Sequence, residues 1–107
     1  MASTPLPNHL VANRKRSSLS QGEVAFLLGV QSSAKVSRDE RFTRETSLAT
    51  ALAYQVIYQR PVSELFGGTY HRIEAKVGTR AKTLARSLKS GKKADMLERI
   101  AAVNSLN

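Results

Sequence analysis

A polar segment at residues 32–41 holds the side chains of this chain that are best suited to chemistry with a partner. Its sequence, SSAKVSRDER, has three cations, two acids and three hydroxyls. Only Ala34 and Val36 are apolar enough to hold a helix formed by this segment against a core. Because an amphipathic helix buries its apolar side, a helix this polar is predicted to face a partner rather than the protein interior.

The charge balance indicates that the partner is a polyanion. Seventeen Lys and Arg against eight Asp and Glu leave a formal net charge of +9 on 107 residues. A field of that sign concentrates a protein near phosphate backbones or anionic membranes. Residues 69–107 hold nine cations and three acids, whereas residues 1–68 hold eight and five. On charge alone, ribosomal, DNA-binding and membrane-surface functions all remain open.

Enzymatic activity is not expected. The chain has no Cys, and its two histidines, His9 and His71, stand 62 positions apart without a nearby acidic motif. No phosphate-cradling glycine loop or nucleophile-elbow sequence is present. We therefore expect no catalytic residue, no cofactor, no metal and no small-molecule ligand. No run of about 18 apolar residues and no signal peptide are found, so we expect a cytoplasmic protein without a membrane partner.

Four residues have the spacing of a helix-turn-helix. Gln21 is polar at the start of the first helix, and Ala25 is small where two helices would cross. Gly29 suits a turn that needs an unusual backbone conformation, and Val36 is an apolar anchor for the second helix.

Capping signals place the surrounding helices. The arm MASTPLP, residues 1–7, is predicted to be flexible, and Asn8 is predicted to cap a short first helix. Ser20 and Glu23 match a capping box that starts the second helix. Ser47 is predicted to cap a fourth helix, and residues 61–66 (PVSELF) a fifth that the Gly67-Gly68 pair stops. The apolar face predicted for the fourth helix has five members: Leu48, Ala51, Leu52, Val56 and Ile57.

Residues 69–107 form a basic extension with helical periodicity. Apolar residues recur there at steps of three or four, which predicts a long amphipathic helix. Ser90-Gly91 is predicted to break it before a final helix. The stripe has six members: Tyr70, Ile73, Val77, Ala81, Leu84 and Leu88.

Three segments of the chain together resemble the lambda-repressor-like (Cro/C1, or xenobiotic-response-element) helix-turn-helix DNA-binding family. They are, in chain order, LSQGEVAFLLGV, VSRDE and SLATALAYQVIYQRPVSELF. The resemblance covers residues 8–68. It implies an all-α fold, a five-helix lambda-repressor-like helix-turn-helix domain with a C-terminal helical extension. It further implies a sequence-specific transcriptional regulator of bacterial or phage type, associated with the nucleoid. A repressor of mobile-element, antitoxin or autoregulatory type is the expected form, with the major groove of an operator in double-stranded DNA as its partner.

The same resemblance assigns roles to individual residues. Arg38, two positions after the anchor, falls where the family reads a base, and a guanidinium can bond guanine O6 and N7 together. Arg14 and Glu40 fall where the family pairs its first and third helices. The family places its anchor one residue closer to the turn glycine than Val36 is to Gly29, so the register is counted from Val36. Further DNA contacts are expected at Gln21, Ser32, Ser33, Ala34, Lys35 and Arg44.

The extension leaves two functions open. If its apolar stripe buries against a second copy, residues 70–104 form a homodimer and the operator is an inverted repeat. If it folds back on the same chain, the protein binds DNA as a monomer. The alternative to a regulator is a nucleic-acid or partner-binding adaptor that uses the basic extension.

Overall fold

The computed structural model describes residues 8–42 and 45–105, and all regular secondary structure within these residues is α-helical. The predicted all-α class is therefore confirmed. In the described residues no helix is long and apolar enough to cross a bilayer. The helices are α1 (Leu10–Arg16), α2 (Gln21–Leu28), α3 (Ala34–Arg41), α4 (Leu48–Tyr58), α5 (Val62–Leu65), α6 (Gly67–Ala85) and α7 (Lys92–Ser105).

The chain divides into two compact units, and the boundary falls between Thr69 and Tyr70, inside α6. In the first unit α1 packs on α3, α2 packs on α3 and α4, and α4 packs on α5. These contacts enclose one core, and the predicted arm at residues 1–7 lies outside the described residues. The core consists of Leu10, Val24, Ala25, Val36, Ala51, Tyr54, Tyr58, Leu65 and Phe66.

Local capping signals predicted three helix ends correctly. The Ser20 hydroxyl accepts the Glu23 amide at 3.0 Å, and the Glu23 carboxylate accepts the Ser20 amide at 2.8 Å, which completes the capping box. Gly29 ends α2 at φ +78°, in the left-handed region that favours glycine. Ser47 accepts the Thr50 amide at the start of α4.

Two helix starts differ from the prediction. The N-cap of α1 is His9 rather than Asn8, although the Asn8 side-chain oxygen accepts the Leu10 amide at 3.1 Å. The Gly67-Gly68 pair begins α6 instead of ending the helical region. The interruption between α5 and α6 lies one residue earlier, at Phe66. This residue has a non-helical backbone, and its ring is buried in the core.

The buried face of α4 coincides with the predicted one only at Ala51 and at Ile57, which is partly buried against the core. Leu48 and Val56 are 74% and 68% exposed, and Leu52 is also exposed. The buried residues are Ala51, Tyr54 and Tyr58, at i, i+3 and i+7. Both faces of α4 have apolar residues. The face with Tyr54 and Tyr58 is buried because it brings two large rings into the core and gives the Tyr54 hydroxyl a buried acceptor.

The two tyrosines are stacked but their hydroxyls differ. Their ring centroids are 5.9 Å apart at an interplanar angle of 10°. The Tyr54 hydroxyl donates to the Asp39 carboxylate at 2.7 Å. The Tyr58 hydroxyl is buried without a hydrogen-bond partner among the described residues.

This difference makes a matched pair of variants informative. We expect Tyr54→Phe to lower the free energy of unfolding by about 1–3 kcal/mol, because it removes a hydrogen bond to a buried carboxylate. Tyr58→Phe removes a hydroxyl that is buried without compensation, so it should leave stability unchanged or raise it by up to about 1 kcal/mol. Urea denaturation of both variants measures the two changes. Equal losses would contradict the hydrogen-bond assignment.

The second unit is a helical pair with exposed apolar positions. The α6 helix continues through Gly78 but ends at Ala85, so Leu88 lies in the connection before α7 rather than on the predicted long helix. Gly91, at φ +116°, precedes α7. Within this unit Ala81, Ala94 and Ala101 are buried. Apolar side chains of α6 and α7 line an open groove of about 290 Å³: Tyr70, Ile73, Val77 and Ile100.

Candidate nucleic-acid interface

One face of α3 is exposed and basic. Ala34, Ser37, Arg38 and Arg41 follow one another at i, i+3, i+4 and i+7, which places them on one side of the helix. Ala34, Arg38 and Arg41 are exposed and Ser37 is half-buried. On the opposite side Val36 is fully buried and anchors the helix to the core. The exposed face therefore offers two guanidinium groups beside two small side chains.

Asp39 is turned inward and is held by three elements. Its carboxylate accepts the Tyr54 hydroxyl from α4, and the Lys35 ammonium lies 3.3 Å away, one helical turn back. The Asn8 side-chain amide donates to the Asp39 carbonyl at 3.0 Å. Burial and the hydrogen bond from the Tyr54 hydroxyl to the Asp39 carboxylate both raise the pKa of Tyr54, because they disfavour its anionic form. The contacts hold α3 against α4 and the residues that precede α1.

Glu40 joins α1, α2 and α3. Its carboxylate accepts the Arg14 Nε at 2.6 Å and Nη2 at 3.4 Å, so the pair predicted from the sequence is present. The Gln21 amide donates to the same carboxylate at 2.9 Å. A further bond runs from Arg14 Nη1 to the Leu19 carbonyl at 3.2 Å. The hydrogen bond to Glu40 raises the pKa of Arg14 above its usual value.

The acids of α3 lie on a different side of the helix from Arg38 and Arg41. Both acids of the helix are neutralised on the inner side, Asp39 by Lys35 and Glu40 by Arg14. Among the described residues, neither Arg38 nor Arg41 forms an ion pair. Although the helix has three cations and two acids, its exposed side is purely cationic.

The remaining predicted site residues take separate positions. The Ser32 hydroxyl accepts the Ala34 amide at 3.0 Å and Ser33 is the N-cap residue, so both lie exposed at the start of α3. Lys35 is half-buried and directed to Asp39, on the flank of the exposed face. Gln21 is half-buried at the first position of α2, with its amide on Glu40. Arg44 lies outside the described residues.

The site residues expected from the sequence did not include Ser37 or Arg41, although both lie on the exposed face of α3. The signal was present in the spacing, because residues 34, 37, 38 and 41 share a helix face once Val36 is placed inward. Asp39 obscured that spacing, because a charged residue type does not predict that its side chain turns inward.

Comparison with known proteins identifies no relative. No protein-family model matches the chain, and no curated protein or solved structure matches it significantly. The site must therefore be interpreted from its own geometry. Within residues 8–42 and 45–105, no group of three or more His, Cys, Asp or Glu side chains could hold a metal ion.

Tyr58 lies beside the charged cluster formed by Arg14 and Glu40. Burial raises the pKa of Tyr58 to about 12, and the negative charge of Glu40 adds to the shift, while Arg14 opposes it. The pKa of Tyr54 is raised in the same direction. Both tyrosines therefore hold their protons more tightly in the folded chain than in the unfolded chain.

The folded chain should consequently become less stable at alkaline pH. The stabilisation is intact below about pH 10, the pKa of an unfolded tyrosine, and falls as pH rises towards the folded-state values. We expect the free energy of unfolding, measured in urea, to decline steadily above that pH. Tyr58→Phe should make the decline shallower. The same slope in this variant and the wild type would show that Tyr58 does not drive base denaturation.

Proposed function

We propose that this protein is a sequence-specific transcriptional regulator, of repressor type, that binds double-stranded DNA with α3 in the major groove. The observation that carries the proposal is the cationic exposed face of α3, with both acids of that helix neutralised on the inner side. An exposed carboxylate would be repelled by phosphates, whereas this face presents none among the described residues of α3. The resemblance to lambda-repressor-like domains supports the same function.

In this proposal the side chains of α3 divide between bases and backbone. The major groove is about 12 Å wide and admits one α-helix, and small residues such as Ala34 and Ser37 allow its axis to come close. Arg38 bonds guanine O6 and N7. Arg41 and the first turn of α2, with Gln21, meet phosphates, because backbone amides and cations bind anions there. Glu40 holds α1 and α2 to α3 by accepting hydrogen bonds from Arg14 and Gln21.

We further propose that the protein acts as a homodimer through residues 70–104. The groove is lined by four apolar side chains, Tyr70, Ile73, Val77 and Ile100, and by Glu74, and the apolar side chains lose contact with water if a second copy covers it. A two-fold dimer would present two copies of α3 to half-sites about 34 Å apart, one turn of DNA. Its operator would then be an inverted repeat.

Selection of bound sequences from a random DNA pool tests both proposals. The purified full-length protein is used at about 150 mM salt, where non-specific electrostatic binding is weak. One compact enriched motif supports a sequence-specific regulator, and an inverted repeat supports the dimer. If the pool is retained at low salt but no motif is enriched at the higher salt, the regulator proposal fails and a basic adaptor takes its place. A single half-site from protein that sediments as a monomer would refute the dimer alone.

A further inference from the structure

An uninterrupted run of positive charge occupies the second unit. Residues 75–94 include seven Lys and Arg and no Asp or Glu. Three of the cations, Lys76, Arg80 and Lys82, lie on α6. Arg86 and Lys89 lie in the connection that follows. Lys92 and Lys93 lie in the first turn of α7, and we refer to all seven together as the cationic surface.

The cationic surface has no internal compensation. All seven side chains are exposed, and within the described part of the chain none of them forms an ion pair. In the first unit, by comparison, three of the cations, Arg14, Lys35 and Arg60, are each paired with an acid. Cations at the start of a helix oppose its dipole, and Lys92 and Lys93 share the first turn of α7 with a single acid, Asp95. A bound polyanion would remove the mutual repulsion of the seven charges.

We propose that the cationic surface binds the phosphate backbone of double-stranded DNA without regard to sequence, so that the second unit adds affinity while α3 supplies specificity. The inference rests on the proposed function only for the choice of double-stranded DNA as the polyanion. Binding to a backbone requires charge and no apolar insertion.

A membrane partner has less support from the same residues. A helix on a membrane surface inserts apolar side chains beside its cations. Residues 86–93, which hold four of the seven cations, contain Leu88 as their one large apolar residue, and Leu88 is half-buried. This segment therefore offers the charge that a phosphate backbone requires without the apolar side chains that a membrane surface requires. The other three cations lie on α6, which also carries the exposed Ile73, Val77 and Leu84, so the test below includes anionic vesicles.

The test replaces cations outside α6 and compares two variants of equal charge. The first is Lys89→Gln, Lys92→Gln and Lys93→Gln in the full chain. The second is Arg60→Gln, Gln55→Glu and Ser63→Glu, three exposed positions of the first unit that lie on α4, on α5 and in the connection between them. Each variant lowers the net charge by three. Affinity for a random duplex is measured between about 50 and 300 mM salt, together with circular dichroism to verify folding.

We expect the slope of log K against log salt for the lysine variant to be shallower than that of the wild type by about 2–3, because each lost phosphate contact removes about 0.9. The control variant should keep the wild-type slope. A slope unchanged in the lysine variant, or changed equally in both, would overturn the proposal. Binding to anionic phospholipid vesicles that depends on the three lysines, with an unchanged DNA slope, would also overturn it and assign a membrane surface.

Selection of bound DNA with the wild type and the lysine variant distinguishes a failure of this inference from a failure of the proposed function. The lysine variant should select the same DNA motif as the wild type, because the cationic surface contacts no base edge. If the wild type selects no motif but the slope difference is present, the proposed regulator fails and the cationic surface stands. A changed motif in the lysine variant would refute a contact that is independent of sequence.

Discussion

Arg38→Ala is expected to abolish most of the preference for the selected operator while leaving binding to random DNA nearly unchanged. One bidentate contact between a guanidinium and guanine is worth about 1–3 kcal/mol of discrimination, which corresponds to about a 5- to 160-fold loss of operator affinity. Arg38 is exposed on α3 and unpaired among the described residues, so its removal leaves no buried partner without compensation. The measurement is the ratio of dissociation constants for operator and random duplex at one salt concentration.

Two further variants separate base recognition from charge. Arg38→Lys keeps the charge but loses the planar pair of donors, so it should resemble Arg38→Ala on the operator and the wild type on random DNA. Arg41→Ala removes the same charge from the same face of α3 and should weaken binding to both duplexes equally, as expected for a phosphate contact. Equal losses on both duplexes in Arg38→Ala would show that Arg38 contributes charge alone.

Glu40→Ala is expected to lower the free energy of unfolding by about 3 kcal/mol, because it leaves Arg14 without its partner in a largely buried position. The two side chains are 5% and 16% exposed, Glu40 the more buried, and Gln21 loses its acceptor as well. A domain of this size has only about 5–15 kcal/mol in total, so the loss is large. Urea denaturation followed by circular dichroism measures it.

Two comparisons give this prediction its control. Arg60→Ala breaks the ion pair between Arg60 and Glu64, which is exposed and 3.7 Å long, and should change stability by less than about 0.5 kcal/mol. Arg14→Met combined with Glu40→Leu removes both charges and should recover much of the stability that Glu40→Ala loses. A small loss in Glu40→Ala, similar to that of Arg60→Ala, would show that the pair does not hold α1 to α3.

Glu40→Ala and Arg38→Ala should both weaken operator binding, but for different reasons. A partly unfolded Glu40→Ala protein would lose affinity for every sequence, whereas Arg38→Ala acts on the operator alone. Binding must therefore be measured at a temperature at which both variants are folded.

Much of the local structure could be predicted from short-range signals. The capping box of Ser20 and Glu23, the positive φ of Gly29 and the cap at Ser47 all depend on residues within a few positions of each other. Their physics is local, because a helix end needs acceptors for its first amides or a residue that tolerates a left-handed turn. The net charge and its concentration after residue 68 are likewise properties of composition.

The choice of buried face could not be predicted in this way. On α4, a face with Leu48, Leu52 and Val56 competes with one that contains Tyr54 and Tyr58, and periodicity alone favours the first. On α2, Val24 and Ala25 are buried, whereas Leu27 and Phe26 are 54% and 82% exposed. Helical spacing establishes which residues share a face, but neighbouring helices decide which face they cover.

The sequence by itself therefore determined the all-α class, the main helix ends and the excess of positive charge, whereas the pair formed by Arg14 and Glu40 was implied by the family resemblance. Only the tertiary structure decided that Asp39 turns inward to Tyr54 and Lys35 and that Ala34, Ser37, Arg38 and Arg41 form the exposed side of α3. The physical reason is that a carboxylate can be buried only where donors from other elements meet it, and those donors come from residues far away in the chain.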